Sequence, residues 1–328
     1  MKPSPAAPQL AGYHRLIERV LAEGTDQLNT RTGHVCRAVV GAELTFDLRQ
    51  GLPALTTRKI PIRAIVGELL AFFRGCDNAA DFEALGCGFW AANANETRAW
   101  VANPARRGHN DLGRIYSRQW TDWRDSRVVV GPAERDALAM RGYAQRMHDP
   151  VQGAYLMERG INQLEQALAT LITDPSDRGI IVSAWRPDEF DRMALRPCHV
   201  DYRFVAFEAP RVLHVVMTIR SWDLFLGAPA NILSTALFLF IMARLAGFEP
   251  GTVTLQAANV HLYDNHFDQA RELLERDHLP SPRLVLADGI APVGGLGEIP
   301  GAFARIAPEH VQIEGYRCHP PIKAAMAA

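Results

Sequence analysis

The longest apolar run in the chain, from Ile232 to Ala243, most constrains its fold. It contains Ser234 and Thr235, is followed by Arg244, and is too short for the roughly 20 apolar residues that cross a bilayer. It therefore reads as a buried helix, which other elements must enclose. Residues 179–185, 199–207 and 212–219 are rich in β-formers and read as strands, with a further strand around 252–258. Helices are expected at 12–22, where Tyr13, Leu16, Ile17, Val20 and Leu21 share a stripe, and at 62–74, 158–172, 231–246 and 264–276. Residues 35–48 alternate loosely, as a strand does.

Strands and helices mix without a strict βαβ rhythm. The expected class is α+β: one domain over residues 1–328, with a large mixed sheet backed by helices. Residues 1–11 are expected to be a flexible N-terminus. Residues 92–112 are polar and read as loop, and 124–150 as a variable, mobile insertion.

A 48% hydrophobic and 22% charged composition provides for a sizeable core, and the formal net charge of -1 comes without a polybasic or acidic block. Stable nucleic-acid or membrane binding is not expected, although a few local arginines suffice for one phosphate. The N-terminus lacks an apolar signal core. Five cysteines, Cys36, Cys76, Cys87, Cys198 and Cys318, are widely spaced with no CxxC pair. No metal site or disulfide framework is expected; reduced thiols in a cytoplasmic protein are the simpler reading.

Cys198 stands in Arg196-Pro197-Cys198-His199, where nearby positive charge would favour a thiolate nucleophile; the alternative is a buried small hydrophobe. Arg220 and Ser221 could hold a phosphate by a guanidinium fork and a hydroxyl, or Arg220 could form a surface pair with Asp223. Asn231, just before the apolar helix, could be an N-cap, or its amide could pair with N3–H and O4 of uracil. His261 and Tyr263 alternate along a strand and could hold a sugar hydroxyl, or be ordinary interior polar packing. Glu68 lies within an apolar helix, and burial there would raise its pKa and suit it to proton relay.

These segments resemble the thymidylate synthase family in order and spacing. So do Thr30-Arg31-Thr32-Gly33, Glu68-Leu69-Leu70, Asp111-Leu112-Gly113, Tyr116 with Gln119-Trp120, Ile181 to Trp185, Glu314-Gly315-Tyr316 and His319 to Lys323. The resemblance runs from about residue 12 to the end. It implies a homodimer whose sheet faces form the interface, with dUMP as substrate and 5,10-methylenetetrahydrofolate as co-substrate. It implies that Cys198 attacks C6, Glu68 moves protons, Tyr116 lies near C5 and Asn231 reads the base. Arg31, Arg220 and Ser221 would hold the phosphate, with Arg178 supplied by a second copy. His261 and Tyr263 would hold the 3′-hydroxyl. Trp90, Asp223, Gly227 and the C-terminal tail to Ala328 would form the folate pocket and its lid, with Arg58 placed at the glutamyl tail from position alone.

The chain departs from the family pattern at Ile219, Ala230, Asn259, Gly179, Arg114, Ser117 and Arg196, and at the end of the tail. Ala230 replaces an expected phenylalanine; the smaller side chain would open the folate side to water and favour a hydroxymethyl product. The sequence reading thus leans to a dUMP hydroxymethylase, with a thymidylate synthase making dTMP as the alternative. A nucleotide-binding protein without turnover is the more remote one.

Overall fold

In the computed structural model, which describes residues 9–30 and 32–325, helix α1 (Ala11–Glu23) leads into strands β1 (Thr25–Leu28) and β2 (Val35–Asp47), then helix α2 (Ile62–Phe73). Short helices α3 (Ala79–Ala84), α4 (Ala91–Asn95), α5 (Arg98–Val101) and α6 (Tyr116–Thr121) follow. Next come β3 (Trp123–Val130), α7 (Pro132–Ala139), β4 (Ala144–Asp149), β5 (Ala154–Ile161) and α8 (Gln163–Thr173). The remainder comprises β6 (Ile181–Ser183), β7 (His199–Glu208), β8 (Arg211–Asp223), α9 (Gly227–Ala246), β9 (Glu249–Tyr263), α10 (Phe267–Leu274), β10 (Arg283–Leu286) and β11 (Val311–Glu314).

The class is α+β, as expected. A six-stranded sheet runs β1-β2-β9-β8-β7-β6. Its pairs are antiparallel except β8 with β9. A parallel pair requires a crossover, and α9 is that crossover. It lies against β8 and β9 and is covered by α2 and α8, which explains why it can be apolar on every side. It is the one described helix long and apolar enough to cross a membrane, but 78% of its apolar window is buried within the protein. Gly247 closes it at φ 71°, where the left-handed region favours glycine, and Phe248 N donates back to Ala243 O at 2.8 Å. The Phe238 ring packs among Phe73 (5.1 Å), Tyr202 (5.1 Å) and Trp120 (5.5 Å) and ties the helix to the sheet and to α6.

The differences from the sequence reading have local causes. Residues 92–112 contain α4 and α5 because buried Trp90 and Trp100 anchor them to the core; Trp100 Nε1 donates to Asp111 O at 2.6 Å. Residues 124–150 are not an irregular connection: with 151–161 they form the three-stranded sheet β3-β5-β4. That sheet has a small core of Leu138, Tyr143 and Met157. Its charges pair locally, Arg159 and Arg127 with Asp125 and Arg146 with Glu158, which hides the strand period. Residues 158–161 belong to β5, and α8 begins after Asn162, whose Oδ1 accepts from Glu165 N at 3.3 Å. At the N-terminus Leu10 is buried and α1 starts at Ala11; residues 1–8 lie outside the described residues.

Two departures from the family pattern are built into the packing. Arg114 Nε meets Glu189 Oε2 at 2.5 Å and Nη1 meets Asp122 at 3.1 Å, with Arg114 and Glu189 both buried. Ser117 Oγ donates to Cys76 O. Removing one member of a buried ion pair strands its partner. Arg114→Met is therefore expected to lower the unfolding free energy by about 3 kcal/mol. The double variant with Glu189→Met should recover most of that in urea denaturation, and a single variant as stable as the parent would contradict this account.

Candidate active site

A cleft of about 300 Å³ opens where α2, α6 and the N-terminus of α9 meet the ends of β8 and β9. Cys198 enters it from the residue before β7, and two contacts fix it there. Its backbone N–H donates to Tyr116 Oη at 2.5 Å, and its carbonyl accepts from Arg220 N at 3.0 Å. The Arg220 side chain clasps the same loop, donating to Pro197 O at 2.8 Å and Arg196 O at 3.0 Å. This leaves Nη2 3.9 Å from Cys198 Sγ. The guanidinium thus bonds the loop rather than a surface aspartate, and it places positive charge where a sulfur nucleophile would carry negative charge.

Glu68 reaches the cleft from α2. Burial pushes its carboxyl up to about 7, against the opposing effect of a 2.8 Å hydrogen bond from Trp90 Nε1 to Oε1. Near neutrality such an acid can both give and take a proton. Burial, reinforced by the nearby Cys198 sulfur, pushes the Tyr116 phenol well above its ordinary value, so it stays protonated. Gly113, at φ 66°, starts the turn into α6. A Cβ there would lie 2.2 Å from Arg192 O, so the close approach of the 113 and 192 segments requires glycine.

Asn231 lies inside α9, which begins at Gly227, and is not an N-cap. Its Nδ2 lies 2.8 Å from His199 Nε2, and Tyr202 Oη lies 3.0 Å from His199 Nδ1. Burial pushes the His199 imidazole down to about 4, so the ring is neutral. With the amide donating to Nε2, the ring proton sits on Nδ1 and is donated to Tyr202. One Asn231 N–H is thereby used to orient the amide. The other N–H and the oxygen are left for a ligand. His199, which the sequence reading does not single out, follows Cys198 in the chain, and its side chain orients Asn231.

His261 and Tyr263 both enter the cleft from β9, with rings perpendicular and 5.2 Å apart. His261 Nδ1 meets Asn259 Oδ1 at 2.8 Å, which orients the ring, and burial lowers its pKa. Asp223 Oδ1 accepts from Phe225 N at 2.9 Å and Leu226 N at 3.3 Å, shaping the turn into α9. Ser221, Asp223, Gly227 and Trp90 complete this part of the lining, with Phe72 and Leu195 as walls not anticipated from sequence.

The structure therefore brings eleven of the expected residues to one cleft: Glu68, Trp90, Tyr116, Cys198, Arg220, Ser221, Asp223, Gly227, Asn231, His261 and Tyr263. Arg178 is elsewhere, exposed in a separate groove with Arg203, Phe207 and Gln256. Arg31 and Ala328 lie outside the described residues. Ala230 packs half-buried against the core and is not among the side chains that line the cleft. The tail docks along residues 55–60: Tyr316 Oη donates to Leu55 O at 2.7 Å and His319 N to Thr56 O at 2.8 Å. No group of three or more His, Cys, Asp or Glu that could hold a metal occurs among the described residues.

The family model described as thymidylate synthase matches residues 11–328. A thymidylate synthase of Pseudomonas putida is 38% identical, the alignment covering 96% of this chain and 99% of that protein. One from Bordetella parapertussis is 38% identical with the same coverage. One from Haemophilus influenzae is 33% identical over 95% of this chain and 97% of its own length. With this match along nearly the whole chain, and with the thiol, acid and amide gathered in one cleft, the chain belongs to the thymidylate synthase family.

Proposed function

We propose that this enzyme transfers a one-carbon unit from 5,10-methylenetetrahydrofolate to C5 of dUMP and releases dTMP and dihydrofolate. The observation that carries this reading is the placement of Cys198 beside Arg220 in a cleft that also holds Glu68 and the oriented amide of Asn231. Uracil C5 is a poor nucleophile. Addition of Cys198 Sγ at C6 breaks the C5=C6 double bond and moves its electron pair through C5 toward O4, which makes C5 nucleophilic. Asn231 accepts N3–H with Oδ1 and donates to O4 with its remaining N–H, supporting charge on that oxygen. Glu68, poised near neutrality, exchanges protons with the pyrimidine through water. Once C5 has lost its proton and the new substituent is complete, the C6–S bond breaks and frees the thiol.

Arg220 and Ser221, with Arg31, bind the 5′-phosphate, and His261 and Tyr263 hold the 3′-hydroxyl. Trp90, Asp223 and Gly227 offer an indole, a carboxylate fixed by two amides and a position without a side chain, which suits a flat, N–H-bearing pterin. Bound folate supplies the carbon and, for a methyl product, the hydride. The protein acts as a homodimer in which Arg178 completes the phosphate site of a second copy. Its exposure away from its own cleft supports this, as do Val205 and Phe207, 43% and 57% exposed on the neighbouring strand.

The relatives' names favour the methyl product over the hydroxymethyl product that Ala230 had suggested. Product mass after incubation with dUMP and methylenetetrahydrofolate decides between them. A methyl increment with dihydrofolate released is expected; a hydroxymethyl increment with tetrahydrofolate released would overturn the assignment. Asn231→Asp, which lacks an N–H for O4, is expected to cut kcat/KM for dUMP about 10- to 100-fold and to raise the relative rate with dCMP. Turnover of dCMP but not dUMP by the unaltered enzyme would contradict the role given to Asn231.

A further inference from the structure

A second cavity, of about 520 Å³, shares no lining residue with the cleft. Five arginines line it: Arg107, Arg114, Arg118, Arg124 and Arg192. Two aspartates also face it, but both are already engaged. Asp77 takes Arg107 at 2.8 Å and Arg118 at 2.9 Å, and Asp122 takes Arg114 at 3.1 Å. Arg114 is further tied to Glu189, and Arg107 to Asp111. That leaves Arg124 and Arg192, whose side chains make no hydrogen bond or ion pair with any described residue. Asp188, which feels the charge of Arg192, is held by Arg186 at 3.1 Å.

Two uncommitted arginines from different parts of the chain thus line the same cavity, one from β3 and one from the end of the turn at 187–192. Each carries a planar fork suited to phosphate oxygens, whereas Arg107, Arg114 and Arg118 are neutralised by their carboxylates, so the positive charge open to a ligand is that of Arg124 and Arg192. Two arginines without an acid partner that line one cavity of ligand-binding size offer that cavity to an anion. The volume, about 520 Å³, exceeds what one phosphate fills and leaves room for a chain of phosphates.

We propose that this cavity is a second anion site that binds a polyphosphate group, either free or as the phosphate chain of a nucleoside triphosphate. The test is titration calorimetry of inorganic tripolyphosphate into the full-length enzyme with dUMP saturating, so that the phosphate position of the first cleft is filled. Saturable binding is expected, weakening as salt is raised. Arg124→Gln/Arg192→Gln should weaken it at least about tenfold, while dUMP binding and turnover stay at the parent level. Arg192→Gln alone, at an exposed position, should give an intermediate loss and guards against misfolding of the double variant. Tighter binding of ATP than of tripolyphosphate would assign the remaining volume to a nucleoside, and equal binding would assign the site to the phosphate chain alone. Absence of binding to the parent enzyme, or binding unchanged in the double variant, would overturn the proposal.

Discussion

Alanine at Cys198 is expected to lower turnover by at least about four orders of magnitude while dUMP affinity changes by no more than about threefold. The asymmetry follows from the division of labour in the cleft. In the proposed binding mode the base, sugar and phosphate are met by other side chains of the cleft: Asn231, His261 with Tyr263, and Arg220 with Ser221. The sulfur contributes one bond, which exists only once reaction has begun. Truncation to alanine leaves the loop's anchors intact, because Tyr116 and Arg220 hold Cys198 through its backbone N–H and carbonyl. Steady-state kinetics and calorimetric dUMP binding on the same preparation check this. Retained turnover would exclude Cys198 as the nucleophile. Loss of affinity in step with turnover would mean that the thiol shapes the ground-state site. A protein that merely binds nucleotide would show affinity, and no turnover, in both forms.

Glutamine at Glu68 is expected to have opposite effects on activity and stability. Activity should fall by up to about 10⁴-fold, since an amide cannot exchange the proton. Stability at pH 8.5 should rise, by at most about 3 kcal/mol. The carboxyl has an ordinary value of 4.5 and is pushed up to about 7 in the folded protein. Between those values the folded state holds a proton that the unfolded chain has released, so stability falls as pH rises through this window. Above pH 7 the folded protein bears the full cost of a buried charge. Glutamine removes that cost, and its Oε1 can still accept from Trp90 Nε1. At pH 4 both forms are neutral and the advantage should vanish. Urea denaturation of the two proteins at pH 4, 6 and 8.5 measures the difference directly. A variant no more stable than the parent at pH 8.5 would mean that the carboxylate is better solvated than its surroundings imply.

Much of the site is legible in the chain because its residues come in short blocks carried by single elements. Arg220 to Asp223 end β8, His261 and Tyr263 end β9, and Cys198 stands at the threshold of β7. A strand keeps neighbours at fixed spacing, so local sequence order survives as geometry. What depends on contacts between blocks is not legible. The pairing of Asn231 with His199 crosses from α9 to β7, and nothing in either segment announces it. α9 begins at Gly227, four residues before the expected helix, because proline is tolerated in a first helical turn, where its missing N–H has no partner to lose. Arg114 reads as an aberrant substitution until Glu189, distant in sequence, is seen to neutralise it. The sheet β3-β5-β4 was missed for the reverse reason: its strands satisfy their charges among themselves and bury little, so the alternation that betrays a strand is absent.

The order of the central sheet also bears on how the enzyme comes into being. β2 lies between β1, its immediate neighbour in the chain, and β9; the Thr45–Thr254 hydrogen bond across that ladder joins residues 209 positions apart. Until β9 has been synthesised, one edge of β2 offers unpaired N–H and C=O groups to any strand that passes. Contacts of such long sequence separation make for slow folding, and they leave a nascent chain open to aggregation through most of its translation. Because β9 also carries His261 and Tyr263, the event that closes this edge is the same one that completes the substrate cleft. Binding competence should therefore arrive in a single late step, and no partly made chain should hold the nucleotide.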